Sequence, residues 1–164
     1  MINLDYTTTL DPYEIDERKG RLKLKQDYES SPYPIDSYFT PGKYDNIDNF
    51  ATAHTPYGDL TYANEIKNRE IPLDLYANGG YILEEVKYNA LMEAHDSSGY
   101  TPLYINYFND GRIVWDITTI QNVENRWVMK WCTQTTATNY GNRVLKKVLL
   151  LDQKEGKVRR TITE

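Results

Sequence analysis

Two strand-like runs joined by one turn constrain this chain more than any other feature. Thr55-Pro56-Tyr57-Gly58-Asp59 is turn chemistry, with proline and glycine supplying backbone angles that other residues resist. Lys43 to Ala53 reads as one arm and Leu60 to Lys67 as the other, so the pattern predicts an antiparallel hairpin. Residues two apart on a strand share a face. Glu65 and Lys67 therefore lean together, while Ile66 between them points into a core. Asp48 brings a second carboxylate on the first arm. Two acids converging with a lysine suit a divalent cation and an activated water, the equipment for cutting a phosphodiester.

The remaining pattern supplies the frame. Asp11 is the expected N-cap of a first helix and Pro12 its first helical residue. Gly20 is expected to end or weaken that helix, and over residues 21–28 the alternation of Leu22 and Leu24 with Lys23 and Lys25 fits a short strand equally well. Residues 79–95 carry Ile82, Leu83, Val86, Ala90, Leu91 and Ala94 at helical spacing, with Gly99 as a stop. Residues 103–108 read as a strand, Asn109-Asp110-Gly111 as a tight turn, and Arg112 to Thr118 as the returning strand. Arg126 to Thr135 reads as a further strand. A last hairpin is expected from residues 143–151 and 157–162 around Gln153-Lys154-Glu155-Gly156. Local hairpins with one crossover through a helix predict an α/β chain, a mixed sheet flanked by two helices.

The length of 164 residues suits one domain, residues 1–164. No apolar run approaches the roughly 20 residues that span a bilayer, and the start Met1-Ile2-Asn3-Leu4-Asp5 lacks a signal peptide's basic and apolar segments. The expectation is a cytoplasmic protein of a bacterial or phage-infected cell, with no membrane partner. One cysteine excludes an internal disulfide, and with two histidines it weighs against structural zinc. The net charge of −5 taken alone argues against a polyanionic partner. Yet the cations cluster at Arg18, Lys19, Arg21, Lys23 and Lys25, and again at Arg143, Lys146, Lys147, Lys154, Lys157, Arg159 and Arg160. Of the later cluster, Arg143, Lys146, Lys147, Arg159 and Arg160 would extend a DNA-binding surface or build a homodimer interface.

Asp48 on one arm, followed 17 residues later by Glu65-Ile66-Lys67 on the next, resembles the PD-(D/E)XK nuclease superfamily, the restriction-endonuclease-like phosphodiesterases. The following helix and the strand 103–108 fall where that family's core continues. The resemblance covers approximately residues 11–118 and leaves 119–164 as a C-terminal strand extension. The departure is Ile47, which stands where the family carries proline. The resemblance implies a restriction-endonuclease-like mixed β-sheet flanked by helices, and Mg²⁺- or Mn²⁺-dependent hydrolysis of nucleic acid, DNA before RNA. Asp48, Glu65 and the backbone carbonyl of Ile66 would hold the metal, and Lys67 would position or activate the attacking water. Asp45 is the rival acid. It differs from Asp48 by an odd number of positions, so on a strand only one of them reaches Glu65, and Asp48 is preferred. Glu14, with Glu17 three residues on, is the candidate for the acid that the family often adds from its first helix. Lys87 would border the cleft on the second helix, and Arg69 would hold phosphate just past the strand. The alternative is a catalytically silent nucleic-acid-binding or structural protein on the same fold.

Overall fold

The computed structural model describes residues 12–42, 45–76, 80–133 and 142–161. Asp11, Lys43, Tyr44 and the end of the expected strand at residues 134–135 lie outside them. The chain is a mixed α/β protein. A six-stranded sheet runs in the order β1 (Ile35–Phe39), β2 (Asn49–Thr55), β3 (Gly58–Asn68), β5 (Thr101–Phe108), β6 (Gly111–Asp116), β9 (Lys157–Arg160). A three-stranded sheet runs β4 (Tyr81–Glu84), β8 (Arg143–Leu151), β7 (Trp127–Thr133). Among the described residues three α-helices accompany them: α1 (Pro12–Glu29), the single turn α2 (Leu73–Tyr76) and α3 (Glu85–Ser98). No helix is long and apolar enough to cross a membrane among the described residues.

The helix α1 runs unbroken through Gly20, against both expectations for residues 20–28. Leu24 is buried while Leu22 is 56% exposed. A strand would put both on one face, whereas a helix turns them apart. Gly20 is the contact point rather than a stop. It is buried, and a Cβ there would stand 3.0 Å from Ile66 Cγ2, so the missing side chain lets α1 lie close on β3.

The hairpin forms with the turn at Pro56-Tyr57, but its first arm is shorter than expected and begins at Asn49. Asp45 and Asp48 therefore sit in the segment entering β2. Thr40 holds that segment: its N–H donates to Asp48 O (3.0 Å) and its hydroxyl to Ile47 O (2.7 Å). Because β2 ends its pairing at Asn49 opposite Asn64, residues 65–68 of β3 have an open edge on that side. On the other side β3 pairs in parallel with β5, with Glu65 opposite Tyr104 and Asn68 opposite Tyr107.

The helix expected over 79–95 is in fact a strand followed by a helix. Tyr81 and Leu83 are buried and alternate with Ile82 and Glu84, and β4 pairs with β8. The helix begins only at Glu85 and ends at Gly99, whose φ of 73° is the left-handed cap that glycine tolerates. The apolar set at 82, 83, 86 and 90 mimicked one helical stripe, although Val86 is in fact exposed.

The expected last hairpin is also corrected. β8 and β9 join different sheets, β8 pairing with β4 and β7, and β9 with β6. Between them a 3₁₀ turn, Gln153–Glu155, is closed by a reciprocal capping box between Asp152 and Glu155, which swings the chain away. Trp115 fixes the crossing by donating its indole N–H to Asp152 O (2.8 Å). The C-terminal strands are thus built into the fold rather than appended to it.

Two apolar clusters lie on opposite faces of the main sheet. Leu24, Ile66, Ile105 and Tyr107 pack under α1. Ala63, Tyr104, Phe108, Ile113 and Trp115 pack with Leu83 and Leu91 of the α3 side and Leu149 and Leu151 of β8. Ile66 faces α1, so Glu65 and Lys67 face α3, as the alternation along β3 requires.

Candidate active site

At the open edge of β3, a cavity of about 240 Å³ lies between the first turns of α1 and the start of α3. Asp48, Glu65, Ile66 and Lys67 line it, together with Glu14, Asp45, Arg69 and Lys87. The structure thus brings every expected site residue to the lining of one cavity. Their roles within it differ.

Glu65 is fully buried, and neither carboxylate oxygen receives a well-aligned hydrogen bond. Two ammonium groups face it instead: Lys67 Nζ stands 3.3 Å from Oε1, and Lys87 Nζ 3.3 Å from Oε2. Burying a carboxylate is costly, and its charge must be met nearby. Burial pushes the Glu65 carboxyl up to about 7, against the pull of Lys67 and Lys87 and with Asp48 adding to the rise. Burial works against the charge on Lys67 as well, but Glu65, then Tyr104 and Asp48, outweigh it and hold the ammonium above its usual value.

Asp48 extends the hairpin ladder by one step, its N–H donating to Asn64 O (2.9 Å). Its side chain then folds onto the open edge, where Oδ2 accepts the Ile66 N–H (2.7 Å). In a strand a residue's N–H and C=O point to the same side, so the Ile66 carbonyl is turned to this edge too. Asp45 is engaged differently. Its carboxylate accepts the Gly42 N–H (2.7 Å), closing its own turn, and its carbonyl accepts Lys87 Nζ (2.8 Å). Lys87 therefore ties the Asp45 segment to Glu65.

Glu14 lines the cavity from α1, beside Glu17, which pairs with Arg21 at 2.6 Å. Arg69 reaches neither Glu70 nor Asp74. Its Nε donates to Asn106 Oδ1 (3.1 Å) and its guanidinium lies 4.7 Å from the Tyr76 ring centre. His54 stands apart at the hairpin's far end, between Asp36 (2.8 Å) and Asp59 (2.9 Å). Glu84 is the carboxylate that sequence reasoning missed. It lines the same cavity at the end of β4 and accepts from Lys146 (3.0 Å). The alternation Tyr81-x-Leu83 was its signal, masked by the helical stripe.

The residues fit a hard divalent cation. A buried carboxylate with no well-aligned hydrogen bond, a second carboxylate and a backbone carbonyl at one strand edge are oxygen donors of the right class. Among the described residues no group of three or more His, Cys, Asp and Glu converges, so the carbonyl and solvent would complete such a shell.

A pH dependence follows. The raised Glu65 carboxyl binds its proton more tightly in the folded protein than in the unfolded chain. Its contribution to stability is present below the ordinary carboxylate pKa and is lost as pH rises through about 7. Metal-free protein should lose about 1.4 kcal/mol of this contribution per pH unit within that window. Glu65→Gln should flatten the slope. Urea midpoints measured from pH 5 to 8 check this, and a parallel slope in the variant would remove Glu65 as the cause.

No family model, curated protein or solved structure matches this chain.

Proposed function

We propose that the protein is a metal-dependent nuclease of restriction-endonuclease-like fold, hydrolysing phosphodiesters of DNA. The observation that carries this reading is Glu65: a fully buried carboxylate at an open strand edge beside Asp48, faced by two ammonium groups at 3.3 Å and making no well-aligned hydrogen bond. Asp48, Glu65 and the Ile66 carbonyl would hold Mg²⁺ or Mn²⁺. When bound, the ion would neutralise phosphate charge and acidify a water. The Ile66 N–H holds the Asp48 carboxylate in position to ligate. Lys67, kept charged by Glu65, acts as a hydrogen-bond donor that orients the attacking water and stabilises the extra negative charge on the phosphate. Lys87 anchors Glu65 from the opposite side through its link to Asp45.

One observation favours the second reading, a catalytically silent protein on the same fold. The two lysines already balance Glu65 without any metal.

The test is cleavage of supercoiled plasmid and of single-stranded DNA with Mg²⁺ or Mn²⁺ and with EDTA. Nicking that needs the ion and disappears in Glu65→Gln, together with that variant's loss of Mn²⁺ affinity, is the expected result. Intact substrate in every metal-containing arm would shift the assignment to the silent protein.

A further inference from the structure

The face of the main sheet that carries α1 is covered as far as Tyr107, which is buried and donates to Asp27 of the helix, and it opens only beyond Arg112, at the exposed strand β9. Four residues form one row across it: Asn68 on β3, Tyr107 on β5, Arg112 on β6 and Arg159 on β9, each directly opposite the next. The next row ends in Val114 and Lys157, on the same face. The row starts at the candidate site, since Asn68 lines the cavity and its Oδ1 accepts Lys23 Nζ at 2.7 Å. The exposed cations, Arg159 and Lys157, stand two residues apart on β9, roughly 7 Å. That matches about two phosphates of one DNA strand at about 3.4 Å each.

The charge at this edge is unusual. Arg112 and Arg159 are directly opposed across two strands, an arrangement that costs stability through like-charge repulsion. Asp27 of α1 offsets Arg112, while Arg159 and Lys157 are exposed and have no carboxylate partner among the described residues. On the second sheet, Lys146 pairs with Glu84 and Lys147 with Glu85. A repulsive guanidinium pair kept beside an unpaired lysine fits a polyanion seated across them.

We infer that Lys157 and Arg159 on the exposed edge strand β9, with Arg112 behind them, form a contact for the DNA sugar–phosphate backbone beside α1. The choice of DNA rests on the proposed nuclease activity. The contacts are electrostatic and free of sequence information, since the edge strand presents cations and no groups shaped to base edges.

The test uses the full chain with EDTA and a fluorescein-labelled DNA duplex, read by anisotropy over a salt series. The double variant Lys157→Ala with Arg159→Ala removes two exposed side chains and leaves the core intact. Its affinity should fall roughly 10- to 100-fold at low salt, and its log K against log[salt] slope should be shallower by about two. The control double variant, Arg143→Ala with Lys154→Ala, should match wild type. Equal affinity and slope for the β9 variant and wild type, binding of an RNA duplex but not DNA, or no binding by wild type would each overturn the contact. Hydrolysis of bis(p-nitrophenyl) phosphate with Mn²⁺ tests the site alone, because that molecule is too short to reach β9. Its failure alongside a β9-dependent DNA affinity would remove the nuclease and keep the contact.

Discussion

Replacing Lys67 by methionine or alanine is expected to stop the proposed DNA cleavage while the protein still folds and keeps the proposed Mn²⁺ site. The expected fall in rate is about 10³-fold, the usual loss when one preorganised donor to a developing charge is removed. Methionine keeps much of the stem's packing, so its effect isolates the ammonium. Glu65 is not stranded by the change, because Lys87 remains 3.3 Å from its other oxygen and the raised carboxyl can take up a proton. Metal affinity should hold or tighten, since the variant removes a cation that competes for Oε1. Single-turnover cleavage and Mn²⁺ titration would be measured together. Residual cutting at more than a tenth of the wild-type rate would place the chemistry on other residues.

The largest effect on stability is expected at Trp115. Its side chain is fully buried, with ring centres 4.9 Å from Tyr81 and 5.8 Å from Tyr104. Gly156 makes room for this ring, since a Cβ there would press into Ile113 Cγ2 and stand 3.0 Å from Trp115 Nε1. Trp115→Ala should cost about 4–5 kcal/mol through the cavity and the orphaned Asp152 carbonyl. That is most of the stability of an ordinary domain. Trp115→Phe keeps much of the packing and loses the hydrogen bond, at about 1–3 kcal/mol. Urea unfolding should remain one transition in Trp115→Phe, because the ring still packs in one core with Leu149 and Leu151 of β8 and Tyr81 and Leu83 of β4, which couples the two sheets without the hydrogen bond. Two separated transitions would show that the sheets fold as independent units.

The hairpin and the strand β5 were legible because their signals are local. Pro56 and Gly58 mark the turn, and Leu103 to Phe108 is apolar enough to read as strand from composition alone. Glu65 and Lys67 share a face through strand alternation, so their meeting needed no tertiary knowledge. Glu65's burial did. It depends on Lys87 arriving from a helix whose start carries no side-chain cap, and the boundary at Glu84 and Glu85 is therefore silent in the sequence. The same silence hid β4, whose strand identity is decided by pairing with β8, far along the chain. Gly20 misled for a related reason: glycine reads as a breaker until the neighbour that needs the space, Ile66, is known. Asp48 was placed on a strand and instead precedes one, yet it reaches the same edge because its carboxylate substitutes for the missing β2 backbone at Ile66.

β9 bears on solubility as well. It is the outermost strand, four residues long and exposed throughout, and three of those residues are Lys157, Arg159 and Arg160. Short, charged edge strands resist pairing with a second chain. Beneath it lies β6, whose Ile113 and Trp115 are fully buried. A chain shortened to Leu151 would present the bare ladder of β6 at the sheet's rim, an apolar strand with open hydrogen-bonding groups. Such a fragment should aggregate as it is made, so the residues after Leu151 act as a built-in guard against self-association.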